Sequence, residues 1–466
     1  MELSAEHPVV VENSLIRYRS QVQSALARLG DADAGAGPAP GFCPGHLLPD
    51  PDERLVEFFS PSGLAFHDLG RYQGKRLTLL DLMRNPRTRT TKTYPSLVIV
   101  ARAVRHIMAT GERVVIVTPS SANKATALRD AVWRASSSGL VTPGMLRICA
   151  VVPESSRAKL WSSPLSEDPW LAARNPVFTY AGAHPDEVKA LARGFVDGWA
   201  ETFKKRHGVN LWHTLDIGNY KVADVIRAHA EYEFLPRESA DGRLHVHAVS
   251  SAFGLLGHNL GLRQLSDAGV NAPKSRYFLV QHLDTPDMVL SLYHGSPDRD
   301  HAPAYTYDAA DGLHRQHEDP RFPQATAEPR ERLDPTFYTR RPATSAEMNE
   351  IIRTRGGGGI VVSGHECRTL YPRVRRLLAP AGVVLPEDPG LLREWSLVMA
   401  LTGVLQAVDR GLVAEDDILV HGSGSYHAGD FRPLPEDRLT PVTEVEDLAE
   451  KAARSVEDDA DRAASR

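Results

Sequence analysis

The chain has 466 residues, 42% of them hydrophobic and 24% charged, a balance that excludes a disordered, collagenous or coiled-coil chain and leaves room for roughly two to four domains with buried cores. A formal net charge of −5 gives no electrostatic ground for a nucleic acid partner, and no apolar run of about 18 residues marks a membrane span. Three widely separated cysteines, Cys43, Cys149 and Cys367, signal neither a disulfide framework nor a zinc site, so a reducing, cytoplasmic setting and no metal are expected.

In chain order, residues 30–52 are crowded with Gly, Ala, Pro and Asp and read as a loop. From Pro95, PSLVIVARAVRHIMATG reads as a buried helix, with proline in its first turn and Gly111 as its stop. Arg113 to Thr118 is a β-branched run, followed by the turn PSSAN, a helix through about Ala135 and the strand MLRICAVVP. This βαβ unit implies a parallel sheet. A second such unit runs from RLHVHAVSSAF (243–253) through GLLGHN and LGLRQLSDAG to the strand SRYFLVQHLD. Between Tyr293 and Thr344 the chain is rich in Pro, His, Asp and Arg, and an irregular excursion is expected there: a lid, a dimer arm or a disordered stretch. Its arginines read as a solvated loop in preference to an anion-binding set. The helix TSAEMNEIIRTR, the run GGGGIVVSG, the helix REWSLVMALTGVLQAVDRG and a last strand DDILVHGSG follow, and the acidic tail from Glu436 is expected to be solvated or frayed.

Several common chemistries do not fit. His365-Glu366-Cys367 lacks the second histidine of an HExxH zinc site, and His229-Ala230-Glu231 has half of a zinc-deaminase signature without its PCxxC, so it reads as a polar helix end. Gly422-Ser423-Gly424 is out of register for a nucleophile elbow, and glycines 356–359 lack the GK[ST] of a phosphate loop and read as a flexible turn.

Four separated segments carry more. NPRTRTTKTYPS (85–96) places Lys92 before a buried helix, an awkward place for a cation unless it is paired, used or able to reach solvent. TPSSAN (118–123) offers Ser120, Ser121, Ala122 and Asn123 at a helix start, a cradle for a carboxylate or an ordinary N-cap. SAFGLLGHN (251–259) offers a glycine-bearing turn that suits a phosphate, and HGSGS (421–425) ends a strand where α/β sheets meet ligands; either is also an ordinary turn.

In this order the segments resemble fold type II pyridoxal-phosphate enzymes: threonine synthase, cysteine synthase and the serine/threonine dehydratases. Asn85-Pro86…Lys92 is similar to the family's NP-then-Lys segment, residues 120–123 to its Ser-Gly-Asn loop with Ala122 in place of glycine, and Gly254 to Gly261 to its glycine-rich phosphate loop. Arg393 to Gly424 is similar to its closing helix, strand and Ser-Gly terminus, so the resemblance spans about 75–430.

The resemblance implies an α/β fold of two lobes with twisted, mainly parallel sheets flanked by helices. The large, cofactor-binding lobe is expected over 1–94 and 236–435 with the insertion 294–344, the small, carboxylate-binding lobe over 95–235, and a disordered tail over 436–466. It further implies a PLP-dependent lyase or transferase, acting on an amino acid by β- or γ-elimination or replacement, and a homodimer. Lys92 would form the Schiff base. Gly254, Leu255, Leu256, Gly257, His258 and Asn259 would bind the phosphate, Asn123 the 3-oxygen, Ser120, Ser121 and Ala122 the substrate carboxylate, and His421 or Ser423 the ring nitrogen. A non-catalytic descendant of the fold and a nucleotide-binding α/β enzyme are the alternatives.

Overall fold

The computed structural model describes residues 8–36, 41–214, 217–235, 242–271, 274–336 and 339–463. The chain divides into two compact units: Met1–Ser14, Gly63–Thr91 and Asp224–Asp430 form the first, and Leu15–Ser62, Lys92–Ala223 and Phe431–Arg466 the second. Against the expected small lobe of 95–235, the second unit stops at Ala223, with 224–235 in the first unit, and it adds 15–62, 92–94 and the chain after 430.

The first unit is built on a seven-stranded sheet in the order Val9–Val11, Leu64–Tyr72, Lys75–Asp81, Asp417–Gly422, Arg243–Ala248, Ser275–His282 and Gly357–Val362. The last five are mutually parallel and the first two extend them antiparallel. Parallel strands need helical cover on both faces. One face is closed by the helix Ser396–Asp409, buried along nearly all of its length, together with Tyr371 and Val374 of the helix Gly364–Leu378. The other face packs Leu255 and Leu256 with Met288, Val289, Leu290, Ile351 and Ile352.

The second unit has a five-stranded, wholly parallel sheet in the order Leu439–Val442, Val177–Tyr180, Leu146–Pro153, Arg113–Pro119 and Val209–His213. The β-branched run at 113–119 is an interior strand between Leu146–Pro153 and Val209–His213, buried on both faces as the sequence pattern requires. The helix Thr93–Thr110 begins with Pro95 in its first turn and ends at Gly111, whose φ of 71° lets its N–H close on the carbonyl of Ile107.

Several expectations are corrected. The segment after 436 is ordered: Leu439–Val442 joins the sheet and the helix Val445–Ala463 buries Leu448, Ala449, Ala452 and Val456 against Phe195 and Phe203. Its apolar residues recur one helical turn apart, so the acidic ones are left outside. The loop expected from residue 30 begins later, because the helix Arg19–Ala36 continues through it. Glycines 357–359 are strand, not a flexible turn. Gly357 has φ of 118°, and a Cβ there would stand 1.9 Å from the carbonyl oxygen of Tyr277. The excursion over 294–344 carries a small antiparallel sheet, Thr306–Asp308, Leu313–Arg315 and Ala325–Thr326, with Phe322 buried; positions 337 and 338 lie outside the described residues. Its arginines are largely neutralised, Arg332 and Arg340 by Asp284, Arg321 by Asp319 and Arg341 by Asp298. No helix among the described residues is long and apolar enough to cross a membrane.

Candidate active site

In the second unit, the strand Arg113–Pro119 ends and the chain turns into the helix Asn123–Ser137. The turn is tight enough that buried Ala122 adopts φ 95°, a left-handed conformation that costs a residue with a Cβ about 1–2 kcal/mol. Ser120 holds it there: its Oγ accepts from the N–H of Ala122 at 3.1 Å and of Ala125 at 2.9 Å. Ser121 and Asn123 are partly exposed at the helix start.

Two amines lie over one ring close to this turn. Lys92 Nζ and Lys124 Nζ each stand 5.8 Å from the centroid of Tyr220. Lys124 is buried, and its Nζ has no hydrogen-bond partner among the described residues. Burial first, then the charges of Lys92 and Lys189, push its pKa well below the ordinary lysine value. His213 ends the neighbouring strand, paired with Val117 in register, and both its ring nitrogens are buried without a hydrogen-bond partner among the described residues. Its pKa falls to about 3, mainly through burial, with Arg193 and Lys124 adding to it.

In the first unit the strand Arg243–Ala248 ends in a matching turn. Ala252 has φ 50° and caps the helix Phe253–Asp267, and Thr344 Oγ1 donates to the carbonyl of Ser251 at 2.9 Å. Arg227 lies flat against Gly254: a Cβ on that glycine would stand 2.5 Å from Arg227 Nη1. The guanidinium is buried and fixed by Asp224 at 2.7 Å, by Thr91 Oγ1 at 2.8 Å and by His421 Nδ1 at 3.4 Å. A helix N-terminus with a fixed cation beside it is an anion-binding arrangement.

Both units thus turn from the end of a parallel strand into a helix through a left-handed alanine, the first beside a guanidinium and the second beside two amines. Residues 10–456 match the model of a family of unknown function, DUF6002. The chain belongs to DUF6002. No curated protein matches its sequence. Among solved structures it is similar to threonine synthase from yeast, with a TM-score of 0.55 at 10% identity over 98% of this chain and 100% of that one. The threonine synthase from Escherichia coli gives 0.54 at 15% identity over 92% and 87% of the two chains. The PLP-bound threonine synthase from Brucella melitensis gives 0.50 at 12% identity over 94% and 89%. At these identities the likeness is one of fold: this DUF6002 chain has the α/β fold of the type II pyridoxal-phosphate enzymes.

Set against the residues singled out from sequence, the DUF6002 structure keeps some and moves others. Lys92 opens the helix Thr93–Thr110, and Asn123 opens its own helix, as read. Residues 254–259 are helix and not a loop. Leu255, Leu256, Gly257, His258 and Asn259 are buried, with His258 Nδ1 on Tyr277 Oη at 2.8 Å and Asn259 Oδ1 accepting from Arg355 at 2.7 Å. The phosphate-suited turn is therefore 249–252 together with the first N–H groups of the helix. Ser120 Oγ accepts from both cap N–H groups, which uses its acceptor lone pairs and not its O–H. Of the pair left open at the last strand, His421 is buried with its nitrogens on Arg227 and on His245 Nδ1 at 3.1 Å, whereas Ser423 is partly exposed just past the strand end. Arg227, Lys124 and His213 were not identified from sequence. His213 alone had a signal there, a polar residue closing the apolar run VNLW.

Proposed function

We propose that the chain is a pyridoxal-phosphate enzyme acting on an amino acid by β- or γ-elimination or replacement, in the manner of a threonine synthase. The observation that carries this reading is the set of orphaned polar atoms at the end of the second unit's sheet, Lys124 Nζ and both nitrogens of His213, next to the 120–123 turn. An unpaired buried polar group costs about 1–3 kcal/mol, so a ligand with acceptor oxygens or an aldehyde is what would make such a cluster whole. The first unit, taken by itself, supports the phosphate: the helix start at Phe253 and the guanidinium of Arg227 give N–H donors, a dipole end and a fixed positive charge.

Pyridoxal phosphate, when bound, supplies an electron sink for charge developing at the substrate α-carbon. In this reading Lys92 would hold the cofactor at its aldehyde and, once the substrate amine had displaced it, would carry the α-proton as a free amine. Asn123 would donate to the ring 3-oxygen, and Ser121 with the first-turn N–H groups would bind the substrate carboxylate. Ser423 would face the ring nitrogen, since both nitrogens of His421 are engaged inside the unit.

The test is the near-visible spectrum of the full chain with added pyridoxal phosphate, followed by borohydride reduction and peptide mapping. A yellow protein labelled at Lys92 is expected. Label at Lys124 instead would transfer the amine's role to the lysine whose pKa burial lowers. A colourless, unlabelled protein overturns the proposal in favour of a chain that keeps the fold without the chemistry.

A further inference from the structure

Beneath the first unit's turn lies a group of side chains that the cofactor reading does not use. Glu231, on the helix Ile226–Phe234, is 1% exposed, and His245 of the strand Arg243–Ala248 and His258 of the helix Phe253–Asp267 are fully buried around it. One ligand atom from each lies within 4.8 Å of the others. His258 Nε2 is 2.8 Å from Glu231 Oε2, and His245 Nε2 is 3.6 Å from Glu231 Oε1.

As a plain hydrogen-bond network this arrangement is incomplete. His258 and Glu231 satisfy each other, but His245 Nε2 is buried with no hydrogen-bond partner among the described residues and faces a carboxylate at 3.6 Å, beyond hydrogen-bonding distance. The outward nitrogens are nevertheless fully ordered: His258 Nδ1 meets Tyr277 Oη at 2.8 Å and His245 Nδ1 meets His421 Nε2 at 3.1 Å. Ligating histidines are held in this way, with the remote nitrogen bonded so that the other lone pair is aimed. Arg243 does the same for the carboxylate, at 2.8 Å from Glu231, and shares itself with Asp417 at 2.8 Å, so two carboxylates face one guanidinium.

We propose that Glu231, His245 and His258 form a site for a divalent cation of the zinc class. Two imidazoles and a carboxylate are the ligand set that zinc takes with one place left over, and tetrahedral ligands at about 2.0–2.1 Å from the metal stand about 3.3 Å apart. The separations of 2.8 Å from His258 Nε2 to Glu231 Oε2 and 3.6 Å from His245 Nε2 to Glu231 Oε1 stand on either side of that value, with all three ligand atoms within 4.8 Å of one another. The ion would tie two helices to a central strand. Because all three ligands are enclosed, it would enter as the chain folds and exchange slowly afterwards. This site stands on the first unit alone and does not depend on the cofactor reading.

The experiment is to unfold the full chain with chelator, refold it with zinc or with cobalt, remove loose metal by gel filtration, and measure metal per chain alongside the melting temperature. About one zinc per chain is expected, with a higher melting temperature than the metal-free preparation, and a cobalt form with tetrahedral d–d bands and no thiolate charge transfer. His245→Phe, which fills the space without a ligand atom, should lower the metal content at least about tenfold. Wild-type protein that refolds to the native circular dichroism without retaining metal overturns the site, as does a thiolate band or equal metal in the variant. If the variant does not fold, the wild-type stoichiometry and the cobalt spectrum still decide.

Discussion

In the first unit buried cations meet carboxylates: Arg243 lies between Glu231 and Asp417, Arg227 on Asp224 and Arg410 on Glu366. In the second unit Arg129 is buried with its Nη1 on the carbonyl of Asn175, and burial lowers its pKa to about 10, while Lys124 has no hydrogen-bond partner among the described residues. A charge closed by a carboxylate is finished structure; one left open marks a place where something else completes it. The lysines point the same way. Eight of the ten are in the second unit, and of the other two Lys75 donates to the carbonyls of Ala414 and Glu415 and Lys274 is exposed. The amine of the proposed chemistry thus belongs to the second unit.

The contrast breaks most sharply at Arg243. Arg243→Met should cost about 3–5 kcal/mol in urea denaturation, because Glu231 and Asp417 stay buried without their cation. A smaller, pH-dependent loss is expected from His282 of the same unit, whose ring faces the N–H of Leu333 at 2.8 Å and of Asp284 at 3.3 Å and whose pKa burial lowers from 6.5 to about 3. The unfolded ring takes up a proton near 6.5 and the folded one does not, so stability is full above that pH and falls below it until the folded pKa is reached. Between pH 6.5 and 5 the loss from this one group is about 2 kcal/mol, and His282→Gln should flatten that part of the profile measured by denaturant melts. The smallest effect is expected at Lys124→Met. With no carboxylate to strand, stability should stay within about 1 kcal/mol of the parent or rise, and a loss as large as that of Arg243→Met would erase the distinction between the units.

Much of the fold was legible because the parallel strands are buried on both faces and so read as short, mainly apolar runs, as at 114–118 and 148–152. The helix Val445–Ala463 was misread because its composition is acidic while its 3.6-residue period carries the information. The glycine-bearing segment 254–261, which is helix, was misread as a loop for a different reason. Its glycines serve helix packing: Gly254 makes room for Arg227, and Gly261, two turns on, lies where a Cβ would be 2.6 Å from the carbonyl of Val225. A glycine pattern alone does not separate a ligand turn from a helix crossing. Lys124 and Arg227 were missed because what distinguishes them is burial, which local sequence does not encode.

The alanines at 122 and 252 bear on how relatives of this chain could be found. Each takes backbone torsions that a glycine would adopt without strain, at the turn where its unit's strand gives way to a helix. A search that demands glycine at those turns passes over this sequence, whereas one that compares torsion angles stops at both positions.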